Sequence, residues 1–206
     1  MRPRLCPLMF VVASGLAACS GTSDAPTARL TALQHSEDGG TSRFEGEGDF
    51  ATGEVSYTLM VEGEPAIERQ EIGTETYNQY VGEDIFYDAA ESPDTLAARA
   101  VRNGLVASPN AVEHLRSIAE EVEEVGREEV RGADMTHYRG VVRLAEMGAA
   151  PEYDRFPIEV WIDQAGRTRR YSHQQLGSET TVVWEFYDFG ISVEDLVPPP
   201  PEKVRG

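Results

Sequence analysis

The clearest candidate for covalent chemistry is Cys19, whose thiol directly follows Leu-Ala-Ala at residues 16–18. Two arginines within the first four residues precede a mostly apolar run over residues 5–18. That run is shorter than the roughly 20 residues a helix needs to span a bilayer, but it suits the apolar region of a secretory signal peptide. The order Leu-Ala-Ala-Cys is typical of a bacterial lipobox, in which the cysteine sulfur receives a diacylglyceryl group. It predicts lipidation of Cys19; the alternative is an ordinary secretory signal with a chance cysteine.

This interpretation divides the chain into a targeting segment and an exported part. Residues 1–18 are predicted to be a lipoprotein signal peptide, residues 19–26 a lipid-anchored tether, and residues 27–206 a single domain with a proline-rich C-terminal end. Two or more acyl chains hold a protein stably at a bilayer, whereas one chain binds only marginally. We therefore expect a protein that is anchored to the cell membrane through acylated Cys19, on the extracytoplasmic face.

The other residues that could carry chemistry are scattered along the exported part. The four histidines, His35, His114, His137 and His173, have no second ligand at helical or hairpin spacing. The sequence contains no Gly-x-Ser-x-Gly, His-Glu-x-x-His, phosphate-loop or dinucleotide-binding motif. The glutamate-rich run over residues 120–129 is typical of a solvated face. We therefore expect a protein that is not an enzyme, with no cofactor and no metal site.

Arg167 and Arg169 belong to the only basic cluster of the sequence. In a strand they share one face, while Arg170 points to the opposite face. Two roles are open for this cluster. The arginines can form cross-strand ion pairs with Glu159 or Glu185, or they can contact the anionic head group of a ligand at the rim of a cavity.

The overall charge limits the partners of the protein. Its 206 residues include 36 acidic and 18 basic side chains, which gives a net charge of −18. Such a chain is repelled by phosphate backbones, which excludes nucleic acid as a partner. Hydrophobic residues make up 40% of the chain, enough for a real core. The length gives room for one compact domain or at most two small ones.

Hydrophobic periodicity predicts the elements that position these residues. Alternation with period two, as in residues 157–163, predicts a series of short strands. Two leucines at helical spacing predict a short helix over residues 27–37, and Ser108 followed by Pro109 predicts the start of another. About nine or ten strands with two or three helices indicate an α+β fold, a large curved antiparallel sheet whose concave face is covered by the helices.

A curved sheet closed by helices encloses an apolar interior, where small apolar ligands usually bind. The residues predicted to line this interior are apolar side chains of the inner strand faces and of one helix stripe: Val55, Tyr57, Leu59, Val112, Leu115, Ile118, Ile158, Val160, Ile162, Trp184 and Phe186. The same residues would serve equally well as a filled core. The sequence leaves both possibilities open.

Several blocks of the sequence resemble one family of proteins. Residues 156–163 (Phe-Pro-Ile-Glu-Val-Trp-Ile-Asp), 186–190 (Phe-Tyr-Asp-Phe-Gly) and 122–132 are similar to the actinobacterial LppX/LprAFG lipoproteins, and the lipobox at Cys19 completes the pattern. The resemblance implies a half-barrel fold related to the LolA/LolB carriers. It also implies a cavity that holds an acylated lipid or glycolipid, as in some members of the family. The resemblance implies no catalytic residue.

Two functions are compatible with these observations. In the first, the protein is a membrane-anchored lipoprotein whose half-barrel binds or carries an acylated lipid or another apolar ligand at the cell envelope. In the second, it is an interaction or structural lipoprotein of the envelope, with a filled core, that acts through its acidic surface. The sequence identifies no protein partner, and we expect a monomer.

Overall fold

The computed structural model describes residues 26–36 and 39–206. The predicted signal peptide, Cys19 and the tether up to residue 25 lie outside the described residues, so their roles stay predictions. Within the described part, the chain forms twelve β-strands, all in one sheet, and two α-helices. In this part, no helix combines the length and the apolar character that a membrane crossing requires.

The strands come in two runs that are separated by the helices. The first run is β1 (Thr27–His35), β2 (Thr41–Asp49), β3 (Glu54–Val61), β4 (Glu64–Ile72), β5 (Glu75–Tyr80) and β6 (Phe86–Asp88). Helices α1 (Pro93–Ala107) and α2 (Ala111–Ile118) follow. The second run is β7 (Ala119–Val130), β8 (Ala133–Arg143), β9 (Arg155–Asp163), β10 (Thr168–Gln174) and β11 (Thr181–Tyr187), and the short β12 (Val204–Arg205) comes last.

The sheet has the strand order β12-β6-β5-β4-β3-β2-β1-β11-β10-β9-β8-β7. Each run is an up-and-down series of antiparallel strands, and the two runs join where β1 pairs with β11. At one edge, β12 pairs in parallel with β6. Strand twist makes a sheet of this size curl, and both helices pack against its concave face. The predicted α+β half-barrel is confirmed.

The helix predicted over residues 27–37 is wrong, because residues 27–35 form strand β1. Its side chains alternate: Ala28, Leu30 and Ala32 are buried, whereas Leu33 is 40% exposed. The backbone pairs with β2 on one side and with β11 on the other. These long-range hydrogen bonds outweigh the weak local preference that two leucines at helical spacing express.

Helix α1 covers the sheet and carries part of the cavity described below. It begins at Ser92, whose hydroxyl accepts a hydrogen bond from the Thr95 N–H at 3.2 Å, and proline follows in the first turn. Val101 and Leu105 are buried in the same core cluster as strand residues such as Val160. Each such fully buried aliphatic side chain contributes about 1.5–3 kcal/mol relative to exposure.

The predicted helix start at Ser108 and Pro109 lies two residues too early. Ser108 ends α1 instead, since its N–H donates to the Gly104 carbonyl. Helix α2 begins at Asn110, whose side-chain oxygen accepts a hydrogen bond from the Glu113 N–H at 3.3 Å. Asparagine and serine cap helices about equally well, so the local sequence does not distinguish the two starts.

Candidate ligand-binding cavity

A cavity of about 520 Å³ lies between α1, the segment that leads into it, and the concave face of the sheet. Pockets that bind small molecules typically measure about 300–1,000 Å³. The lining residues come from β1 to β4, β10, β11, α1 and two connections: Gln34, Phe44, Tyr57, Arg69, Glu71, Ala89, Ala90, Glu91, Ser92, Thr95, Ala98, Arg99, Arg102, His173, Gln175, Val182 and Trp184. The cavity therefore combines an apolar wall with a charged end.

The apolar wall is built around three aromatic rings. Phe44 stacks on Trp184 with ring centroids 6.5 Å apart, and Tyr57 meets both rings edge-on, at 5.7 Å from Phe44 and 5.9 Å from Trp184. Val182 and Ala98 extend this surface. Offset and edge-to-face aromatic pairs are the favourable geometries, so the three rings form a continuous apolar surface on the inner side of β2, β3 and β11.

The charged end contains a buried ion pair between β4 and α1. Glu71 Oε2 accepts a hydrogen bond from Arg102 Nη2 at 2.6 Å, and the two side chains are only 3% and 5% exposed. The other oxygen of Glu71 accepts a hydrogen bond from the Tyr57 hydroxyl at 2.8 Å. The Arg102 guanidinium also lies over the Trp184 ring, 4.6 Å from its centroid. One network thus joins the charged end to the aromatic wall.

The protonation states of this network are fixed by its own members. Burial alone would raise the pKa of Glu71, but the charge and hydrogen bond of Arg102 outweigh it and the pKa lies below its ordinary value. Burial would also lower the pKa of Arg102, and the Glu71 charge raises it instead. Burial and the neighbouring Glu71 charge raise the pKa of Tyr57. At neutral pH the network consists of a carboxylate, a guanidinium and a neutral phenol.

A second charged group surrounds Glu91, just before α1. Its carboxylate lies 2.5 Å from Arg69 Nη2 and 2.9 Å from Arg99 Nη1. Arg99 also donates to Thr76 Oγ1 and to the Gly73 carbonyl, each at 2.8 Å. Arg99 is therefore held by three protein oxygens, while Arg69 shares a single carboxylate with it.

His173 and two glutamines form a neutral polar side of the cavity. Burial lowers the pKa of His173 to about 4, so its ring is uncharged at neutral pH. Gln34 Nε2 donates to Gln175 Oε1 at 3.2 Å. The cavity as a whole offers ring faces, fixed charges and hydrogen-bond donors, which is chemistry suited to holding a ligand. Among the described residues, no group of three or more His, Cys, Asp or Glu side chains could hold a metal ion.

Two of the eleven residues predicted to line the interior, Tyr57 and Trp184, line this cavity. Six others are fully buried in the main core: Val55, Leu115, Ile158, Val160, Ile162 and Phe186. Val112 and Ile118 pack at the margin of this core, and Leu59 is half-buried on β3. A ligand contact at these nine positions stays a prediction.

Arg167 and Arg169 lie away from the lining of this cavity. Both donate to the carboxylate of Asp163, at 3.1 Å and 2.8 Å respectively, and both guanidinium groups lie over the Phe189 ring. Arg170 donates to Glu185. Their contact with a head group stays a prediction, and the cavity is supplied with positive charge by other arginines.

Sequence reasoning missed the charged lining residues Arg69, Glu71, Glu91, Arg99 and Arg102. Strand alternation could have identified part of this set. Glu71 and Arg69 pair with Val55 and Tyr57, so they lie on the inward face of β4. Charged residues at inward positions are unusual unless they are paired. The partners on α1 are identified only by the fold.

No protein-family model matches the chain, and no curated protein is significantly similar to it. Among solved structures, the fold is similar to that of the lipoprotein LppX from Mycobacterium tuberculosis, with a TM-score of 0.52 and 14% identity over 82% of this chain and 89% of LppX. LprF from Mycobacterium bovis matches with a TM-score of 0.48 and 10% identity over 85% of this chain and 90% of LprF. The MucA/MucB complex from Pseudomonas aeruginosa matches with a TM-score of 0.41 and 16% identity over 79% of this chain and 51% of the matched chain. The chain therefore has the half-barrel fold of LppX.

Proposed function

We propose that this protein is a membrane-anchored bacterial lipoprotein whose half-barrel binds, and carries at the cell envelope, an acylated lipid or another apolar ligand. The observation that carries the proposal is the cavity between α1 and the sheet, with its wall of Phe44, Tyr57 and Trp184. The fold, shared with the lipoprotein LppX, supports it. So does the Leu-Ala-Ala-Cys order that ends at Cys19.

Burial of an alkyl chain against the apolar wall provides the free energy for binding. Burial of one methylene group contributes about 0.8 kcal/mol, so roughly ten methylenes give about 8 kcal/mol before the cost of immobilising the ligand. An alkyl chain packed against the rings therefore supplies a large part of the binding energy, and the cavity of about 520 Å³ suits one such ligand.

Native mass spectrometry with lipid extraction tests the proposal. Every described strand and helix lies within residues 26–206, so a chain that begins at Ser20 retains all of these elements. After expression in a bacterial host, this chain is expected to carry a bound lipid, or to take up a fluorescent fatty acid such as cis-parinarate. A ligand-free protein that takes up no probe would show that the proposal is wrong.

A matched pair of variants connects binding to this cavity. Ala98 lines the cavity, whereas Ala100 is exposed on the same helix. Ala98→Trp is expected to fill the space and to reduce cis-parinarate uptake at least tenfold, while Ala100→Trp leaves uptake unchanged. Equal uptake by the two variants would place the ligand elsewhere.

The alternative, an envelope interaction protein that acts through its acidic surface, predicts a different outcome. Glu123, Glu124 and Glu129 are exposed on β7, which forms one edge of the sheet. If the protein carries no ligand, crosslinking in cells should instead capture a partner. That partner should be lost when the glutamates of residues 120–129 are replaced by glutamine.

A further inference from the structure

The cavity has a positive surplus in a strongly acidic protein. Among the described residues that line it, three are arginines and two are carboxylates: Arg69, Arg99, Arg102, Glu71 and Glu91. The protein as a whole has a net charge of −18. His173 adds no charge at neutral pH, because burial lowers its pKa to about 4. Three guanidinium groups against two carboxylates make the lining favourable to an anionic group.

The surplus positive charge lies at Arg69. Glu71 is matched by Arg102, whereas Glu91 is shared between Arg69 and Arg99. Arg99 is held by three protein oxygens and is 6% exposed, while the Arg69 side chain is 28% exposed. Arg69 is therefore the guanidinium that an incoming ligand can reach.

Two buried N–H donors of the lining have no acceptor among the described residues. They are Nε of Arg69 and Nε1 of Trp184. Buried donors in folded proteins are nearly always hydrogen-bonded to protein or ordered water, and these two have no protein acceptor among the described residues, so they are available to an acceptor on a ligand. A carboxylate or phosphate oxygen fits such a position, because hydrogen bonds from a guanidinium to an anion are roughly twice as strong as neutral ones.

The apolar wall lies next to these donors. Trp184 belongs to both groups, since its Nε1 is one of the two donors and its ring stacks on Phe44. Val182 and Ala98 continue the apolar surface. A ligand that satisfies both ends has one anionic group and one apolar tail, and the volume suits a single small molecule.

We infer that the cavity binds a single-chain anionic amphiphile, with its carboxylate or phosphate at Arg69 and its tail against Phe44, Trp184 and Val182. This inference rests on the proposed function and names the class of ligand. It assigns the recognition of the head group to Arg69, on β4, and not to the basic cluster of residues 167–170.

Isothermal titration calorimetry at pH 7.5 with four ligands tests the head group. Decanoate, decyl phosphate and 1-decanol share the tail length and differ in charge, and inorganic phosphate provides the anion without a tail. At least one anionic ligand is expected to bind about tenfold more tightly than 1-decanol, as one charge-assisted hydrogen bond allows. Inorganic phosphate alone is expected to bind much more weakly than decyl phosphate.

Variants of Arg69 localise the effect. Arg69→Gln is expected to weaken anion binding about tenfold and to leave 1-decanol binding within twofold, while Arg69→Lys, which keeps the charge, recovers part of the affinity. The fold should survive, because Glu91 keeps Arg99 as a partner, and thermal melts verify this. Arg139→Gln is the matched control, since Arg139 is an exposed strand arginine that pairs with Glu159, and it should change nothing.

The outcomes separate the inference from the function on which it rests. If all three decyl ligands bind equally and Arg69→Gln has no effect, the head-group assignment is wrong and the proposed function stands. If no decyl ligand binds, the inference is wrong, and the proposed function is wrong as well when the protein also carries no lipid and takes up no cis-parinarate. If inorganic phosphate binds as tightly as decyl phosphate, the site recognises a free anion and the amphiphile is excluded.

Discussion

Replacement of Glu71 by glutamine should destabilise the protein strongly, because it leaves the Arg102 guanidinium buried without a counter-charge. The carboxylate and the guanidinium are 2.6 Å apart, and both side chains are almost completely buried. Glutamine keeps an oxygen that can accept the Tyr57 hydroxyl. The amide nitrogen then replaces the oxygen that accepts from Arg102, so the change removes both the counter-charge and the hydrogen bond of the pair.

The expected loss follows from the burial of the pair. Removal of one partner from a buried ion pair typically costs about 3–5 kcal/mol, since the remaining charge is uncompensated. A domain of this size loses about 2–4 °C of melting temperature for each kcal/mol, so the melting temperature should fall by roughly 6–20 °C. Glu71→Gln combined with Arg102→Met removes both charges, and this double variant should be at least about 2 kcal/mol more stable than the sum of the single losses.

Urea unfolding followed by circular dichroism provides the measurement, with the chain that begins at Ser20. Glu68→Gln, on the exposed side of the same strand, is the control and should change the free energy of unfolding by less than about 0.5 kcal/mol. The pH dependence gives a second readout. Because the folded-state pKa of Glu71 lies below the ordinary value of 4.5, its contribution is complete above that pH and is lost as the pH falls through the folded-state pKa.

The difference in stability between the wild type and Glu71→Gln should therefore be constant from pH 7 to about pH 5 and should shrink in more acidic solution. A loss below about 1 kcal/mol at neutral pH, or strictly additive single and double variants, would refute the view that this pair is desolvated and coupled. A difference that does not depend on pH below about 4 would contradict the lowered pKa.

Three further outcomes are expected. Cys19→Ala should abolish labelling by a fatty-acid analogue and release the protein from membranes; a variant that stays labelled and membrane-bound would contradict lipidation at this residue. The imidazole NMR signals of His173 should stay those of a neutral ring down to about pH 4. Because the unfolded chain binds this proton near its ordinary pKa of 6.5, the free energy of unfolding should decrease as the pH is lowered from 6.5 to about 4. His173→Gln should remove this part of the pH dependence, and a titration near 6.5 would show that the ring is not buried. Gly46→Ala should cost about 1–3 kcal/mol or more, because the new Cβ would lie 2.0 Å from the Ser56 carbonyl oxygen, whereas Glu45→Ala on the same strand should have a small effect in the same urea titration.

Local sequence patterns were sufficient to predict much of the sheet. The alternation over residues 157–163 predicts a strand whose Ile158 and Val160 point inward, and both are buried. The turn that follows at Asp163–Gly166 is equally local: Gly166 has a φ of +83°, and the Asp163 side chain accepts hydrogen bonds from the backbone N–H groups of Ala165 and Arg167. Strand alternation and turn chemistry are properties of a few consecutive residues, so they can be inferred from the sequence.

The first strand shows where local patterns fail. Leu30 and Leu33 are spaced as in a helix, and nothing nearby in the sequence contradicts that interpretation. The segment becomes β1 because two partners from distant parts of the chain, β2 and β11, pair with its backbone on both sides. The energy that determines its conformation comes from these partners.

The sequence by itself determined the class of fold, the inward face of most strands, the excess of acidic charge and the lipobox order at Cys19. Only the tertiary structure decided which inward residues line a cavity and which fill the core. Glu71 and Arg102 are 31 positions apart, and they meet because the fold brings α1 within reach of β4 for the long Arg102 side chain. Periodicity reports which side of an element faces inward, whereas a binding site depends on which other element lies opposite. That arrangement placed paired charges, and an arginine with spare donors, beside an aromatic wall.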